Sequence, residues 1–286
     1  MTSNITIANL IFYMVFLGQI VLISYYLPKK ILERIRAVYK KFPPAEYPKL
    51  YPAANSYYQN KQGFYWAVNL IILISSLIAF TIGAVFYNAE MAKLFNWNNH
   101  SFVTFYFVFQ YLPLILILGK AEFKQFKMMR QANSTKHKKA ELVPRKLTDF
   151  VRPAYVYLAI AVYIAFIAFV IYFNQLGFSW FGGYWNIIGV TFLNAFFLAG
   201  IYWHLHGKKQ DPYQSSEDRS RNIKVIANLL VFMSVVSTLS IVIHIVLKAW
   251  DFNIIKLIFN SLYTQAIAAL SVIGILHSLR IEDINY

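Results

Sequence analysis

Seven long apolar runs constrain this chain more than any other feature of its sequence. A run of about 20 apolar residues is long enough to cross the hydrocarbon core of a bilayer as a helix. Inside hydrocarbon every backbone N–H and C=O must be bonded within the segment, so each run is expected to be helical. The sequence therefore predicts an all-α fold: a polytopic integral membrane bundle of seven transmembrane helices, in a single transmembrane domain over residues 1–286. The predicted spans are about 5–27, 64–87, 101–119, 153–173, 186–206, 225–247 and 257–279.

Composition points to the same fold class. Only 14% of the 286 residues are charged, whereas soluble domains carry about 25%. The first run is expected to be a retained span, because it lacks the positively charged start and the small-residue cleavage site of a signal peptide. The chain has no cysteine, which excludes disulfides, thiolate nucleophiles and cysteine-ligated metals.

The distribution of Lys and Arg predicts the orientation of the bundle. Of the 27 Lys and Arg residues, 24 fall in the loops 28–63, 120–152 and 207–224 and in the C-terminal tail. Lys93, Lys248 and Lys256 are on the other side. Basic loops stay in the cytoplasm, so the N-terminus is predicted outside and the C-terminus in the cytoplasm. The net charge of +15 then reflects topology and attraction to anionic lipid headgroups rather than nucleic-acid binding. The Ile-, Asn- and Lys-rich composition suggests a bacterial cytoplasmic (inner) membrane.

The first basic loop has two parts. Residues 28–42 place apolar side chains at three- and four-residue spacing among basic ones, which is typical of a helix lying in the headgroup plane. Residues 42–52 contain four prolines among aromatics, which favours an extended polyproline conformation. This second part is predicted either to pack across the cytoplasmic helix ends or to enter a partner's groove. The candidate surface for lipids or a membrane or cytoplasmic protein partner comprises Lys29, Lys30, Arg36, Lys40, Lys41, Glu46, Tyr47, Tyr51, Arg145 and Lys146.

The sixth span is predicted to begin before its apolar run. Ser215 and Asp218 have the spacing of a capping box with a shorter acid, and Glu217 and Asp218 suit the positive end of a helix.

The interior of the predicted bundle is polar but carries no acid. All twelve Asp and Glu residues fall outside the spans or at their ends, which disfavours proton- or sodium-coupled transport. Neutral polar side chains lie near mid-depth instead. They have two interpretations: hydrogen bonds that hold the helices together, or the lining of a path or pocket for a small neutral ligand. The ligand-binding candidates are Gln19, Gln110, Asn194, Ser234, Ser237, Thr264 and Gln265.

Histidines near the helix ends allow a different function. A b-type cytochrome needs paired axial histidines at one or two depths in the membrane. His204, His244 and His277 are the candidates for such haem ligands. Nothing else in the sequence indicates a cofactor or a metal.

These observations give one leading hypothesis and two alternatives. The leading hypothesis is a non-enzymatic membrane protein that binds or passes a small neutral or lipid-like molecule. The first alternative is an accessory or scaffold subunit of a larger membrane complex, suggested by the basic face and the proline-rich segment. The second is a haem electron-transfer protein. No pattern in the sequence identifies catalytic residues.

Overall fold

A computed structural model of the chain describes residues 7–85, 100–133, 145–207, 209, 211–282 and 284. These residues form helices and no strands, and seven helical stretches are long and apolar enough to cross a membrane. The predicted all-α bundle of seven spans is therefore confirmed. Lys93 and the predicted span ends at residues 5–6 and 86–87 lie outside the described residues. The helices are α1 (Ile7–Val21), α2 (Leu27–Lys41), α3 (Asn55–Val85), α4 (His100–Pro113), α5 (Lys120–Ala132), α6 (Pro153–Asn174), α7 (Trp185–His206), α8 (Ser216–Ala249) and α9 (Asn253–Ser278).

The first and third spans each contain a π-helical segment. Leu22–Tyr26 joins α1 to α2, and Leu114–Gly119 joins α4 to α5. At the end of the first segment the Leu27 N–H bonds to the Leu22 carbonyl, the i to i−5 pattern that defines a π turn. Such segments are rare and occur frequently at functional sites.

The basic segment after the first span differs from the expected in-plane helix. It continues the first span as α2, so that Ile7–Lys41 is helical throughout. Leu32 is buried, Ile31 packs against the end of α9, and Arg34 Nη1 donates to the Leu276 carbonyl at 3.3 Å. The apolar side of α2 therefore covers protein, because α9 ends where α2 passes it.

The described residues pack as two compact units. The first unit contains α1 to α5 and α9, and the second contains α6, α7 and α8. In the first, Phe16 and Ile20 of α1 form a core with Val103 of α4 and Leu257 of α9. In hydrocarbon this packing is held by van der Waals contact and hydrogen bonds, because burial from lipid brings no hydrophobic gain.

The proline-rich segment belongs to the first unit and folds as turns rather than as extended polyproline. Pro48–Leu50 is a short 3₁₀ helix, and Phe42 and Leu50 are buried. The Tyr51 ring packs against those of Tyr39 and Tyr58, with centroids 4.8 and 5.8 Å apart. Its apolar side chains thus contact the unit's own helices, which supports the interpretation that the segment packs across helix ends.

The second unit is a three-helix bundle in which α8 packs against both α6 and α7. Ile201 and Leu205 of α7 meet Ile223 and Ala227 of α8. At the start of α8 the Ser215 hydroxyl oxygen accepts the Asp218 N–H at 3.0 Å, which confirms the predicted helix start.

Both units expose apolar side chains on their outer faces. On α7 the exposed fractions are 76% for Trp185, 76% for Phe192 and 67% for Trp203. Soluble monomers rarely expose contiguous apolar surface of this extent. Together with the seven apolar helices, this identifies an integral, multi-pass membrane protein.

Candidate functional site

Two of the predicted ligand-binding residues meet in the core of the first unit. Gln19 of α1 is fully buried and Gln110 of α4 is 3% exposed. Gln19 Nε2 donates to Gln110 Oε1 at 3.2 Å, and Gln110 Nε2 donates to the hydroxyl oxygen of Ser24 at 2.8 Å. We call Gln19, Ser24, Gln110, Ser261 and Gln265 the glutamine cluster.

The π segment explains how Ser24 reaches this cluster. Ser24 lies five residues after Gln19, and in a regular α-helix at 3.6 residues per turn the two would point in different directions. A π turn holds more residues, so positions five apart approach the same face. Gln110 Nε2 contacts both Gln19 and Ser24, because it lies 3.4 Å from the Gln19 carbonyl oxygen and 2.8 Å from the Ser24 hydroxyl oxygen.

Helix α9 closes the cluster from the other side. The Ser261 hydroxyl donates to Gln19 Oε1 at 2.7 Å, and Gln265 Nε2 donates to the Val15 carbonyl at 2.9 Å. Thr264 is buried but bonds back to the Ser261 carbonyl of its own helix at 2.9 Å. The structure therefore brings Gln19, Gln110 and Gln265 together, whereas the Thr264 hydroxyl donates to a carbonyl of its own helix.

A small cavity of about 10 Å³ lies next to the glutamine cluster. We call it the notch. Its volume accommodates about one water-sized group. Its apolar wall is formed by Ile23, Leu27, Pro28, Ile31, Leu114 and Val272, and its polar wall by Tyr65, Asn69, Gln110 and Tyr111. The notch contacts both π segments, because Ile23 belongs to the first and Leu114 begins the second.

One polar atom beside the notch is left unsatisfied. The Tyr111 hydroxyl oxygen exposes less than 1 Å² and has no hydrogen-bond partner among the described residues. The neighbouring amides are engaged: Gln110 through the glutamine cluster, and Asn69 because its Nδ2 donates to the Tyr65 carbonyl at 2.8 Å. Leaving a buried polar group unpaired costs about 1–3 kcal/mol. Among the described residues, the Tyr111 hydroxyl is therefore a destabilising group next to the notch.

The other predicted ligand-binding residues lie in the second unit. Asn194 of α7 accepts a short hydrogen bond from the Ser234 hydroxyl of α8. Asn194 Nδ2 donates to Thr238 Oγ1 at 3.2 Å and to the Val190 carbonyl at 3.0 Å. We call Asn194, Ser234 and Thr238 the asparagine cluster. Ser237 is buried one turn along α8, and its carbonyl accepts from the Ser240 hydroxyl at 2.8 Å.

The histidines considered as haem ligands are dispersed. His204 lies near the end of α7, and His244 lies near the end of α8. These consecutive helices run in opposite directions, so the two imidazoles lie at opposite ends of the second unit and cannot ligate the same iron. His277 is exposed at the end of α9, in the first unit. In the part of the chain that the structure describes, no group of three or more His, Cys, Asp or Glu side chains could hold a metal.

The predicted basic surface is divided between the units. Lys29, Arg36, Lys40 and Lys41 are exposed on α2, where Lys30 Nζ pairs with Glu33 at 2.9 Å. Glu46, Tyr47 and Tyr51 follow in the proline-rich segment of the same unit. Arg145 and Lys146 belong to the second unit, just before the 3₁₀ helix Leu147–Asp149.

Sequence reasoning missed Ser24 and Ser261 of the glutamine cluster and Tyr111 of the notch. Ser24 reaches the glutamine cluster because of the π turn, and the apolar pattern of the sequence does not indicate a π turn. Tyr111 directly follows Gln110, but its position gave no sign that its hydroxyl lacks a partner.

Comparison with known proteins identifies no relative: no protein-family model, no curated protein and no solved structure matches this chain.

Proposed function

We propose that this protein binds a small neutral or lipid-like molecule at the notch of the first unit, and that it is not an enzyme. The observation that carries the proposal is the notch itself, a cavity of about 10 Å³ that the glutamine cluster borders through Gln110. Two π segments border the same notch, which agrees with the frequent occurrence of such segments at functional sites.

The chemistry of the lining supports a neutral ligand. The ten residues around the notch include no Asp, Glu, Lys or Arg. A charged ligand would have to leave water without a countercharge, which costs several kcal/mol in a low-dielectric interior. A neutral molecule with a large apolar part meets no such cost.

Filling the notch tests the proposal. Val272 is 9% exposed and forms part of the notch wall. Val272→Phe is expected to reduce the small molecule that co-purifies with the protein, measured by mass spectrometry, by about tenfold or more. Displacing a packed side chain to admit the ligand would cost about 1–3 kcal/mol.

Val231→Phe provides the matched control, because Val231 is a buried valine of the second unit, 7% exposed. This variant should retain the co-purified molecule. Equal amounts in Val272→Phe and wild type would contradict binding at the notch. A Soret band in the absorption spectrum of the purified protein would favour the haem alternative instead.

We also propose that the N-terminus faces outward, that the C-terminus is cytoplasmic, and that the membrane is the bacterial inner membrane. The support is the concentration of Lys and Arg in alternate loops, where they would face anionic headgroups. Green fluorescent protein fused to the C-terminus is expected to fluoresce, and alkaline phosphatase fused there is expected to be inactive. An active phosphatase fusion would contradict this orientation.

A further inference from the structure

We propose that a groove on the first unit binds a phospholipid whose headgroup carries both a phosphate and a primary ammonium, as in phosphatidylethanolamine. The groove is a second site, because its lining includes charged residues and that of the notch does not. Leu114 contributes to both sites. The proposal goes beyond the proposed function and does not depend on it.

The groove is an open cavity of about 550 Å³ along the second π segment and the start of α5. This volume falls within the range of about 300–1,000 Å³ that is usual for ligand pockets. Lipid tails are as apolar as leucine, so an acyl chain can lie against a wall of this composition. The apolar wall consists of Leu114, Ile115, Leu116, Leu118 and Phe123.

Two opposite charges line the same groove. Lys120 and Glu122 belong to the first turn of α5, and both side chains are exposed. Residues two positions apart point to nearly opposite sides of a helix, so the two do not pair with each other. Neither makes an ion pair in the part of the chain that the structure describes. Each charge is therefore accessible to a group of opposite charge on a bound lipid.

A second carboxylate strengthens the negative charge on one side of the groove. Asp211 belongs to the same unit and interacts electrostatically with Glu122. Two neighbouring carboxylates repel an anionic headgroup and attract a cation. Lys120 attracts the phosphate that all phospholipids carry. A headgroup with both charges complements the groove, and a purely anionic one does not.

A primary ammonium fits the carboxylate side better than a quaternary one. A primary ammonium has three N–H donors, and hydrogen bonds between charged groups are stronger than those between neutral groups. A trimethylammonium has no N–H, and its methyl groups hold the charge farther from the Glu122 oxygens. Phosphatidylethanolamine is therefore favoured over phosphatidylcholine.

The order of these residues along the chain agrees with the order of groups in a phospholipid. The apolar π segment ends at Gly119, and the charged residues begin at Lys120. Lysines near helix ends extend toward the headgroup level. The acyl chain would therefore lie against the π segment, and the headgroup against the start of α5.

Native mass spectrometry of the detergent-solubilised protein tests the proposal through the affinity of the first bound lipid. The probes are dioleoyl phosphatidylethanolamine, phosphatidylcholine and phosphatidylglycerol, which differ only in the headgroup. We expect phosphatidylethanolamine to bind about two- to fivefold more tightly than the others, the effect of one exposed ion pair. Glu122→Gln should abolish this preference. Equal affinities for the wild type, or a preference unchanged in Glu122→Gln, would overturn the proposal.

Filling the groove tests its location. Among the described residues, a Cβ added at Gly119 meets within 4 Å only the Leu114 carbonyl oxygen, at 3.7 Å. A larger side chain at this position therefore extends into the groove, and Gly119→Leu should weaken all three lipids by about threefold or more. Gly189→Leu is the matched control, because a Cβ there meets no described atom within 4 Å in the second unit. Unchanged affinities in Gly119→Leu would show that the lipid binds elsewhere.

Two further controls separate local charge from net charge. Lys120→Gln should weaken all three lipids, because each carries a phosphate, whereas Lys224→Gln on α8 should not. Glu217→Gln, at an exposed position of the second unit, changes the net charge as Glu122→Gln does and should keep the preference for phosphatidylethanolamine. Loss of the preference in Glu217→Gln would show that net charge, rather than the groove, selects the headgroup.

Discussion

The glutamine cluster of the first unit and the asparagine cluster of the second are built from the same kinds of side chain. In each, a carboxamide on one helix bonds to hydroxyls on another: Gln110 to Ser24, and Asn194 to Ser234 and Thr238. The surroundings differ. The glutamine cluster joins three spans and borders the notch, whereas the asparagine cluster joins the neighbouring helices α7 and α8.

This difference shows what separates helix packing from a candidate site. The Asn194 amide is engaged at both its oxygen and its nitrogen, so the asparagine cluster needs no further partner. The same is true of the Gln110 amide. What sets the first unit apart is the notch next to the glutamine cluster, together with the buried Tyr111 hydroxyl, which has no partner in the part of the chain that the structure describes. Buried amides in a membrane bundle are therefore weak evidence for binding when, as here, they are satisfied by neighbouring side chains.

The largest expected difference between the clusters is in stability. Gln110→Leu removes the acceptor for Gln19 Nε2 and the donor to the Ser24 hydroxyl in a buried core. We expect it to lower the free energy of unfolding by about 2–3 kcal/mol, the cost of leaving buried polar groups unpaired. Unfolding in sodium dodecyl sulfate would measure this.

The double variant Gln19→Leu with Gln110→Leu provides the control. It should cost less than the sum of the single variants, because it removes both members of a bonded pair. Additive costs would contradict the direct bond between the two glutamines.

Asn194→Leu is expected to have a smaller effect, about 1 kcal/mol, in the same measurement. Thr238 keeps a partner, because its hydroxyl also donates to the Ser234 carbonyl at 2.8 Å. Hydrogen bonds between membrane helices contribute about 0.6 kcal/mol on average. A cost equal to that of Gln110→Leu would remove the distinction between the two clusters.

Tyr163→Phe tests a single bond within the second unit. The Tyr163 hydroxyl lies 2.5 Å from Thr191 Oγ1, and Thr191 also donates to the Ile187 carbonyl at 2.7 Å. Because Thr191 remains bonded, we expect a loss of about 0.6 kcal/mol, measured as a small decrease in the unfolding midpoint. A loss above that of Asn194→Leu would show that the α6–α7 contact, rather than the asparagine cluster, stabilises this unit.

The smallest expected effect is a pH dependence confined to the first unit. Burial among tyrosine rings, with a smaller effect from Tyr58, raises the pKa of Tyr51 from 10.0 to about 12. The folded state thus holds the phenol proton more tightly than the unfolded state. The resulting stability is complete below about pH 10 and is lost as the pH rises from 10 toward 12.

Absorbance at 295 nm during an alkaline titration would follow this ionisation. Tyr51→Phe should remove one tyrosine from the part of the titration above pH 10. A titration of Tyr51 complete by pH 10 would contradict its packing against Tyr39 and Tyr58.

The sequence by itself determined the fold class, because the bilayer requires each long apolar run to satisfy its own backbone bonds and leaves a helix as the solution. It also identified the start of α8 from Ser215 and Asp218, since capping is local chemistry. It identified Gln19, Gln110 and Gln265 as interior polar residues, but not that they meet while Asn194 and Ser234 form a separate cluster.

Tertiary structure alone decided those pairings and the position of the notch. Which helix faces which depends on packing between spans distant in sequence, and residues 19 and 261 are bonded across most of the chain. The sequence did not predict the π turns either. A π turn has about one more residue than an α-helical turn, so it changes the direction in which the Ser24 side chain points but leaves the run equally apolar. The sequence also gave no sign that the Tyr111 hydroxyl lacks a partner among the described residues, because hydrogen-bond satisfaction is a property of the assembled unit.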